Sequence, residues 1–145
     1  MLRVEPDIRT HYVAGGRVQI AFHHILDLGP NSLLGSTAAE CAGQQEPLAF
    51  WRMHDLLYER QPDLYAATAG TVAAWAGELG LDTAAFQACL DDPAVTAKVQ
   101  RMDEQRRAAG VRLRPTFDVN GQRIEGAAPY AALAEILEGA LERGD

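Results

Sequence analysis

Apolar positions along the chain follow two different periods. Through residues 17–23, Val18, Ile20 and Phe22 alternate with Arg17, Gln19 and His23. A period of two predicts a strand with one buried face. From about residue 32 to Gly110 the spacing is helical instead. Leu34, Ala38 and Cys41 share one stripe, and Phe50, Met53, Leu57 and Tyr58 a second. Val72, Trp75, Ala76 and Leu79 form a third, Phe86, Cys89 and Leu90 a fourth, and Val95, Val99 and Met102 a fifth. Each stripe has polar residues opposite it, the signature of an amphipathic helix.

Punctuation supports the same division. Residues 6–14 read as a short helix stopped by Gly15-Gly16, and Gly80 and Gly110 close later helices. A loop containing Gly29-Pro30 leads to Ser32, a candidate N-cap, and Asp92-Pro93 opens a helix by the capping and first-turn proline preferences. Residues 116–119 and 122–125 flank Asn120-Gly121, a strong hairpin signal. Residues 128–143 then close the chain as a helix built on Tyr130, Leu133, Leu137 and Leu141. The order is helix, strand, helical block, hairpin, helix. No repeat, low-complexity tract or linker divides it, so residues 1–145 are expected to form a single domain of the α/β class.

Charge narrows the partners. With 20 acidic against 13 basic residues the net charge is −7, and no basic stripe is available to neutralise phosphates. A nucleic-acid partner or an anionic membrane surface is therefore not expected. The basic run from 101 to 112 is interrupted by Asp103 and Glu104 and reads as a solvated helix face. No stretch approaches the roughly 18 apolar residues of a membrane span. Residues 1–12 carry Glu5, Asp7, Arg9 and His11 without an apolar core, so no signal peptide is expected within this chain. His23 and His24 are adjacent and would face opposite sides of a strand, while His11 and His54 stand apart. With no zinc-type spacing, no metal and no cofactor are expected.

Five segments together resemble a known family. The run Gly110-Val111-Arg112-Leu113-Arg114-Pro115-Thr116-Phe117-Asp118-Val119-Asn120-Gly121 resembles the cis-proline segment and hairpin of DsbA-like thioredoxin-fold thiol–disulfide oxidoreductases. Gly126-Ala127 and Pro129-Tyr130 resemble the turn into that family's last helix. The stretch Ala38-Ala39-Glu40-Cys41-Ala42, with Phe50-Trp51 and His54-Asp55-Leu56-Leu57, is similar to its inserted helical subdomain. So is Leu79-Gly80-Leu81-Asp82 with Phe86 and Cys89-Leu90, while Tyr12-Val13 and Gly16-Arg17-Val18 match the first helix and the strand after it. The resemblance covers nearly the whole chain. It implies a thioredoxin-like fold with a helical insert over about 32–109, an extracytoplasmic setting, and an extended peptide as the bound substrate.

The resemblance also assigns residues. Pro115 is expected to follow a cis bond and, with Arg114, to line the substrate-binding strand. Arg114 departs from the small or β-branched residue usual there, and a long cation would alter what binds. Ahead of the segment that begins here at Met1, the family places a hydrophobic strand and a Cys-x-x-Cys helix start. That central strand and its motif are expected to be absent from this chain, leaving it redox-inactive as given. The alternative is a non-catalytic binding or assembly module on the same fold. Cys41 and Cys89 admit three readings, two buried reduced thiols, a structural disulfide or a catalytic pair; the resemblance implies the structural disulfide, which some relatives carry, and that is the expectation. A sheet without its central strand exposes backbone edges, which predicts a homodimer or association with another protein chain.

Overall fold

The computed structural model describes residues 4–144. The chain divides into two compact units: Met1–Phe22 with Gly110–Asp145, and the continuous segment His23–Ala109 between them.

The first unit begins with α1 (Glu5–Ile8), which continues as a π-helical turn over Arg9–Val13. Arg9 reaches back to Glu5, with Nε to Oε1 at 3.0 Å. The later part holds β1 (Thr116–Val119), β2 (Gln122–Glu125) and α8 (Tyr130–Arg143). β1 and β2 are antiparallel, with Phe117 opposite Ile124 and Val119 opposite Gln122. The connecting Asn120 and Gly121 both have positive φ, 49° and 92°. That pair of angles is what a two-residue hairpin requires, and it is why Asn-Gly stands there. Ile8, Tyr12, Leu133 and Leu137 make the core, and Val18, Ile20, Phe117, Val119 and Ile124 pack against it.

Residues 17–23 are not a strand, contrary to the periodicity. The alternation itself survives, since Val18, Ile20 and Phe22 are half-buried while Gln19, Ala21 and His23 are exposed. A strand also needs a neighbour to share its hydrogen bonds, and among the described residues the sheet contains β1 and β2 alone. Backbone pairing at the start of this segment is local: the amides of Arg17 and Val18 both donate to the Tyr12 carbonyl.

The second unit contains α2 (Pro30–Gln45), α3 (Pro47–Glu59), α4 (Gln61–Leu64), α5 (Ala69–Glu78), α6 (Thr83–Leu90) and α7 (Pro93–Ala108). Its core gathers Ala38, Cys41, Met53, Val72, Trp75 and Phe86. The inward residues of α2 are small, and this permits close helix packing. A Cβ at Gly43 would meet the Phe50 Cβ at 3.1 Å, and one at Gly35 would meet Leu64 at 3.2 Å.

Helix starts in this unit follow side-chain caps. Asp82 accepts from the Ala85 amide at 2.9 Å, Asp92 from the Ala94 amide at 2.8 Å, and Thr68 forms a capping box with Thr71. Ser32 is not the N-cap of α2. The helix begins at Pro30 after Gly29, whose φ is +59°, and the Ser32 hydroxyl instead accepts the Leu28 amide at 2.8 Å. Pro30 sets the start because its ring fixes φ and its missing N–H costs nothing in the first turn.

Candidate functional site

The segment entering β1 contains the two residues assigned to substrate binding. The Arg114–Pro115 bond is cis. The Pro115 carbonyl accepts the Gly126 amide at 2.8 Å, and the Thr116 hydroxyl donates to the Leu113 carbonyl at 2.6 Å. These two bonds fix the loop at its junction with the hairpin. Ahead of the junction, Arg112, Leu113 and Arg114 are exposed, and Leu113 keeps 53% of its surface open. Leu113 is thus an apolar side chain presented to solvent between two cations.

Register determines what the edge of β1 offers. A two-residue turn makes Val119 and Gln122 a hydrogen-bonded pair, and the Pro115–Gly126 bond has the same parity. Backbone groups of Phe117 and Val119 are therefore turned toward β2. Those of Thr116 and Asp118 are turned the opposite way, along an edge beside which no third strand runs among the described residues. The Asp118 side chain is occupied with the turn, its Oδ1 accepting the Gly121 amide at 2.7 Å.

Elsewhere in this unit, Tyr12, Arg17 and Glu138 form a group. Arg17 donates to Glu138 at 2.7 Å and lies 5.3 Å from the Tyr12 ring centre. Burial, together with a hydrogen bond to the Glu138 carboxylate, pushes the Tyr12 phenol up to about 12. The Arg17 hydrogen bond, followed by that of Tyr12, holds Glu138 below its usual range. The group is a closed structural network with no acid or base poised near neutrality.

In the second unit the two cysteines are joined. Cys41 on α2 and Cys89 on α6 form a disulfide across 48 residues, with their Cα atoms 5.7 Å apart. The structural disulfide expected from the family resemblance is therefore formed, and the chain carries an oxidised cysteine couple although no Cys-x-x-Cys pair occurs in it. It excludes two reduced thiols and places the couple between helices, with Cys41 fully buried. The same two helices are tied by Gln45, whose amide exchanges bonds of 2.9 Å with the backbone N–H and carbonyl of Asp82.

Sequence reasoning missed a hydrogen-bonded cluster around the Glu40 carboxylate. His24 is 3% exposed, and its Nε2 lies 3.0 Å from Glu40 Oε1, while Lys98 Nζ reaches Glu40 Oε2 at 2.5 Å. The His24 hydrogen bond, with that of Lys98, brings the Glu40 carboxyl down to about 2 against the opposing effect of burial. Adjacent His23 points outward, as two successive positions of an alternating segment should. His54 is also buried, with Nδ1 2.9 Å from Asp55 Oδ1 and its ring near Phe50, Trp51 and Tyr58.

The basic run at 101–112 is not a solvated face throughout. Arg107 grips Asp103 (Nε to Oδ2, 2.8 Å), Asp27 (2.5 Å) and the Leu26 carbonyl (3.3 Å). Asp103 Oδ1 in turn accepts the Leu26 amide at 2.8 Å. Burial would raise the Asp103 carboxyl, but the bonds from Arg107 and Leu26 outweigh it and hold the group low. The pairing spans about 80 residues of sequence, beyond the reach of any local pattern.

A thioredoxin-like frame interrupted by a helical unit, with a cis-proline at the entry to its hairpin, is the architecture of the DsbA-like class. The sequence matches the thioredoxin family over residues 2–139, and the chain belongs to that family. It is 26% identical over 144 residues to disulfide bond formation protein D of Bacillus subtilis, covering 94% of this chain and 63% of that protein. It is also 33% identical over 138 residues to the Na(+)/H(+) antiporter NhaA of Herminiimonas arsenicoxydans, covering 95% of this chain and 21% of the antiporter. The chain thus spans about a fifth of the antiporter and under two thirds of the disulfide bond formation protein. The crystal structure of oxidised BdbD from Bacillus subtilis superposes with a TM-score of 0.86 at 24% identity, covering 97% of this chain and 77% of that one. No helix among the described residues is long and apolar enough to cross a membrane.

Proposed function

We propose that this chain is a DsbA-like polypeptide-binding domain that does not itself exchange disulfides, and that it works outside the reducing cytosol. The observation that carries the reading is the outer edge of β1. Backbone donors and acceptors of Thr116 and Asp118 line that edge, and the exposed loop of Arg112, Leu113 and Arg114 leads into it. An extended segment can add to such an edge through main-chain hydrogen bonds, with side chains of the loop supplying selectivity. Arg114 and Pro115 would then serve as substrate-binding residues.

The cystine supports the absence of exchange chemistry. Disulfide exchange proceeds by attack of an exposed thiolate on an accessible sulfur. Cys41 is fully buried in a helix interface, so Cys41–Cys89 fits a structural role. A structural cystine persists in oxidising compartments and is rare in a reducing cytosol. The test is insulin reduction by dithiothreitol, scored beside binding of a labelled unfolded polypeptide. The protein should bind the polypeptide and leave the reduction rate at that of dithiothreitol alone. Thioredoxin-like acceleration would overturn the non-catalytic part, and absence of polypeptide binding would overturn the rest.

The antiporter match favours a second reading, in which the domain serves a membrane transport polypeptide as an attached or docking module. Cross-linking to an antiporter of the same organism would be its expected outcome.

A further inference from the structure

We propose that Asn120-Gly121 is a self-modifying site, a pair that closes to a succinimide and opens to isoaspartate, and that Asp118 holds this reaction in check. The reacting atoms are adjacent in the chain. The Gly121 nitrogen, on losing its proton to hydroxide, attacks the side-chain carbonyl carbon of Asn120. A C–N bond forms, a five-membered ring closes, and the carboxamide nitrogen leaves as ammonia with a proton returned by water. Water then opens the ring. Cleavage at the side-chain carbonyl gives aspartate, and cleavage at the main-chain carbonyl gives isoaspartate.

The turn leaves the electrophile open. Asn120 and Gly121 are exposed, and a Cβ built at Gly121 would meet nothing within 4 Å. Among the described residues none bonds the Asn120 carboxamide. Glycine stands at 121 because φ there is 92°, so the hairpin's own requirement removes the bulk that would shield the attacking nitrogen. Restraint falls on the nucleophile instead. Its N–H donates to Asp118 Oδ1 at 2.7 Å. A carboxylate at that distance opposes the negative charge the nitrogen must acquire, and the hydrogen bond must break before the peptide plane can turn toward the side chain. The pairing of Val119 with Gln122 fixes the main chain on both sides of the turn. Isoaspartate carries the main chain through the former side chain and adds one methylene to a two-residue turn. Turn length sets the register of a hairpin, so Phe117 would lose its place opposite Ile124. Aspartate at the same position leaves the turn length unchanged. The other asparagine, Asn31, precedes Ser32 in the first turn of α2 and donates to the Tyr65 carbonyl at 3.4 Å, which makes it an internal control.

The experiment incubates the full chain at mildly alkaline pH and follows position 120 by mass spectrometry of its proteolytic fragment, with isoaspartate and aspartate separated by chromatography. A linear peptide of residues 115–125 gives the rate without the fold. The full chain should convert at least about tenfold more slowly than the peptide, and at Asn120 rather than Asn31. Asp118→Ala should convert about tenfold faster than the parent chain. Asp118→Asn keeps the shape and offers a weaker, neutral acceptor, so its rate should lie between the two while amide exchange protection in β1 and β2 is retained. The isolated isoaspartate product should lose that protection, and Asn120→Asp should keep it. A parent chain that converts as fast as the peptide would overturn the proposal, as would both Asp118 variants reacting at the parent rate. A rise confined to Asp118→Ala, accompanied by loss of exchange protection, would place the restraint in the hairpin as a whole and overturn the role of Asp118. An isoaspartate product with full protection would overturn the register argument.

Discussion

Replacing both Cys41 and Cys89 by alanine should cost the protein about 4 kcal/mol, and nearly all of it should be an effect on the unfolded chain. The bridge closes a loop of 48 residues, and on the chain-entropy model a loop of that length contributes about 4 kcal/mol. At about 2.1 cal/mol/K of unfolding entropy per residue, a chain of 145 residues loses about 13 °C of Tm for that change. Alanine is the right replacement because Cys41 is fully buried and a serine hydroxyl would find itself desolvated. Two measurements separate the causes. Reduction of the native protein removes the cross-link and leaves both sulfurs in place, whereas the double variant removes both. Melting followed by circular dichroism should show nearly the same fall in the two cases. A fall confined to the alanine variant would mean that packing, not chain constraint, is what the cystine supplies. A shift below about 3 °C in both would refute the reasoning, because the Gln45–Asp82 bonds and the core would then suffice to hold α2 to α6.

Other expectations follow from single sites. Glu40→Gln should lose about 2 kcal/mol at neutral pH through weakened charged hydrogen bonds to His24 and Lys98, measured by urea unfolding. Because the folded Glu40 carboxyl lies near 2, below its ordinary value of 4.5, its contribution is fully present above about pH 4.5 and is lost as pH falls toward 2. The acid limb of the stability profile should accordingly be flatter in the variant. Phe86→Ala, in the fully buried centre of the helical unit, should cost about 4 kcal/mol by denaturant titration. Gly121→Val forces a β-branched side chain to φ 92° and should destabilise the hairpin by about 2 kcal/mol, with loss of amide exchange protection in β1 and β2.

Local chemistry made much of the fold legible. Asn120-Gly121 announces its turn, and Asp92-Pro93 its helix start, because each requirement is met by adjacent residues. The apolar stripes of α3, α5 and α7 placed Met53, Val72, Trp75, Val95 and Val99 in the interior, where they are found. What failed had partners distant in sequence. Alternation at 17–23 gives a burial pattern and cannot report whether a neighbouring strand exists. His24, Glu40 and Lys98 look like unrelated polar residues until the helices carrying them pack. The cystine became legible only through resemblance, since two cysteines on two apolar faces are equally compatible with free thiols. The cis bond before Pro115 was legible through the resemblance, but the exposure of Leu113 and the open edge of β1 emerged only from the folded chain.

The grip of Arg107 and Asp103 on residues 26 and 27 has a consequence for how the molecule assembles. Those contacts bring the first and last residues of the His23–Ala109 segment together. The remaining unit is made from two pieces of chain that must find each other across about 90 intervening residues, a closure costing about 4 kcal/mol in chain entropy beyond a constant. A helical segment with mostly short-range contacts can fold early. Once it has, its clasped ends replace a long floppy tether by a short bridge, and the two flanking pieces arrive already near one another. With its two ends clasped together, the segment of residues 23–109 should be separable as a piece that folds alone, shown by a cooperative melt of that segment by itself.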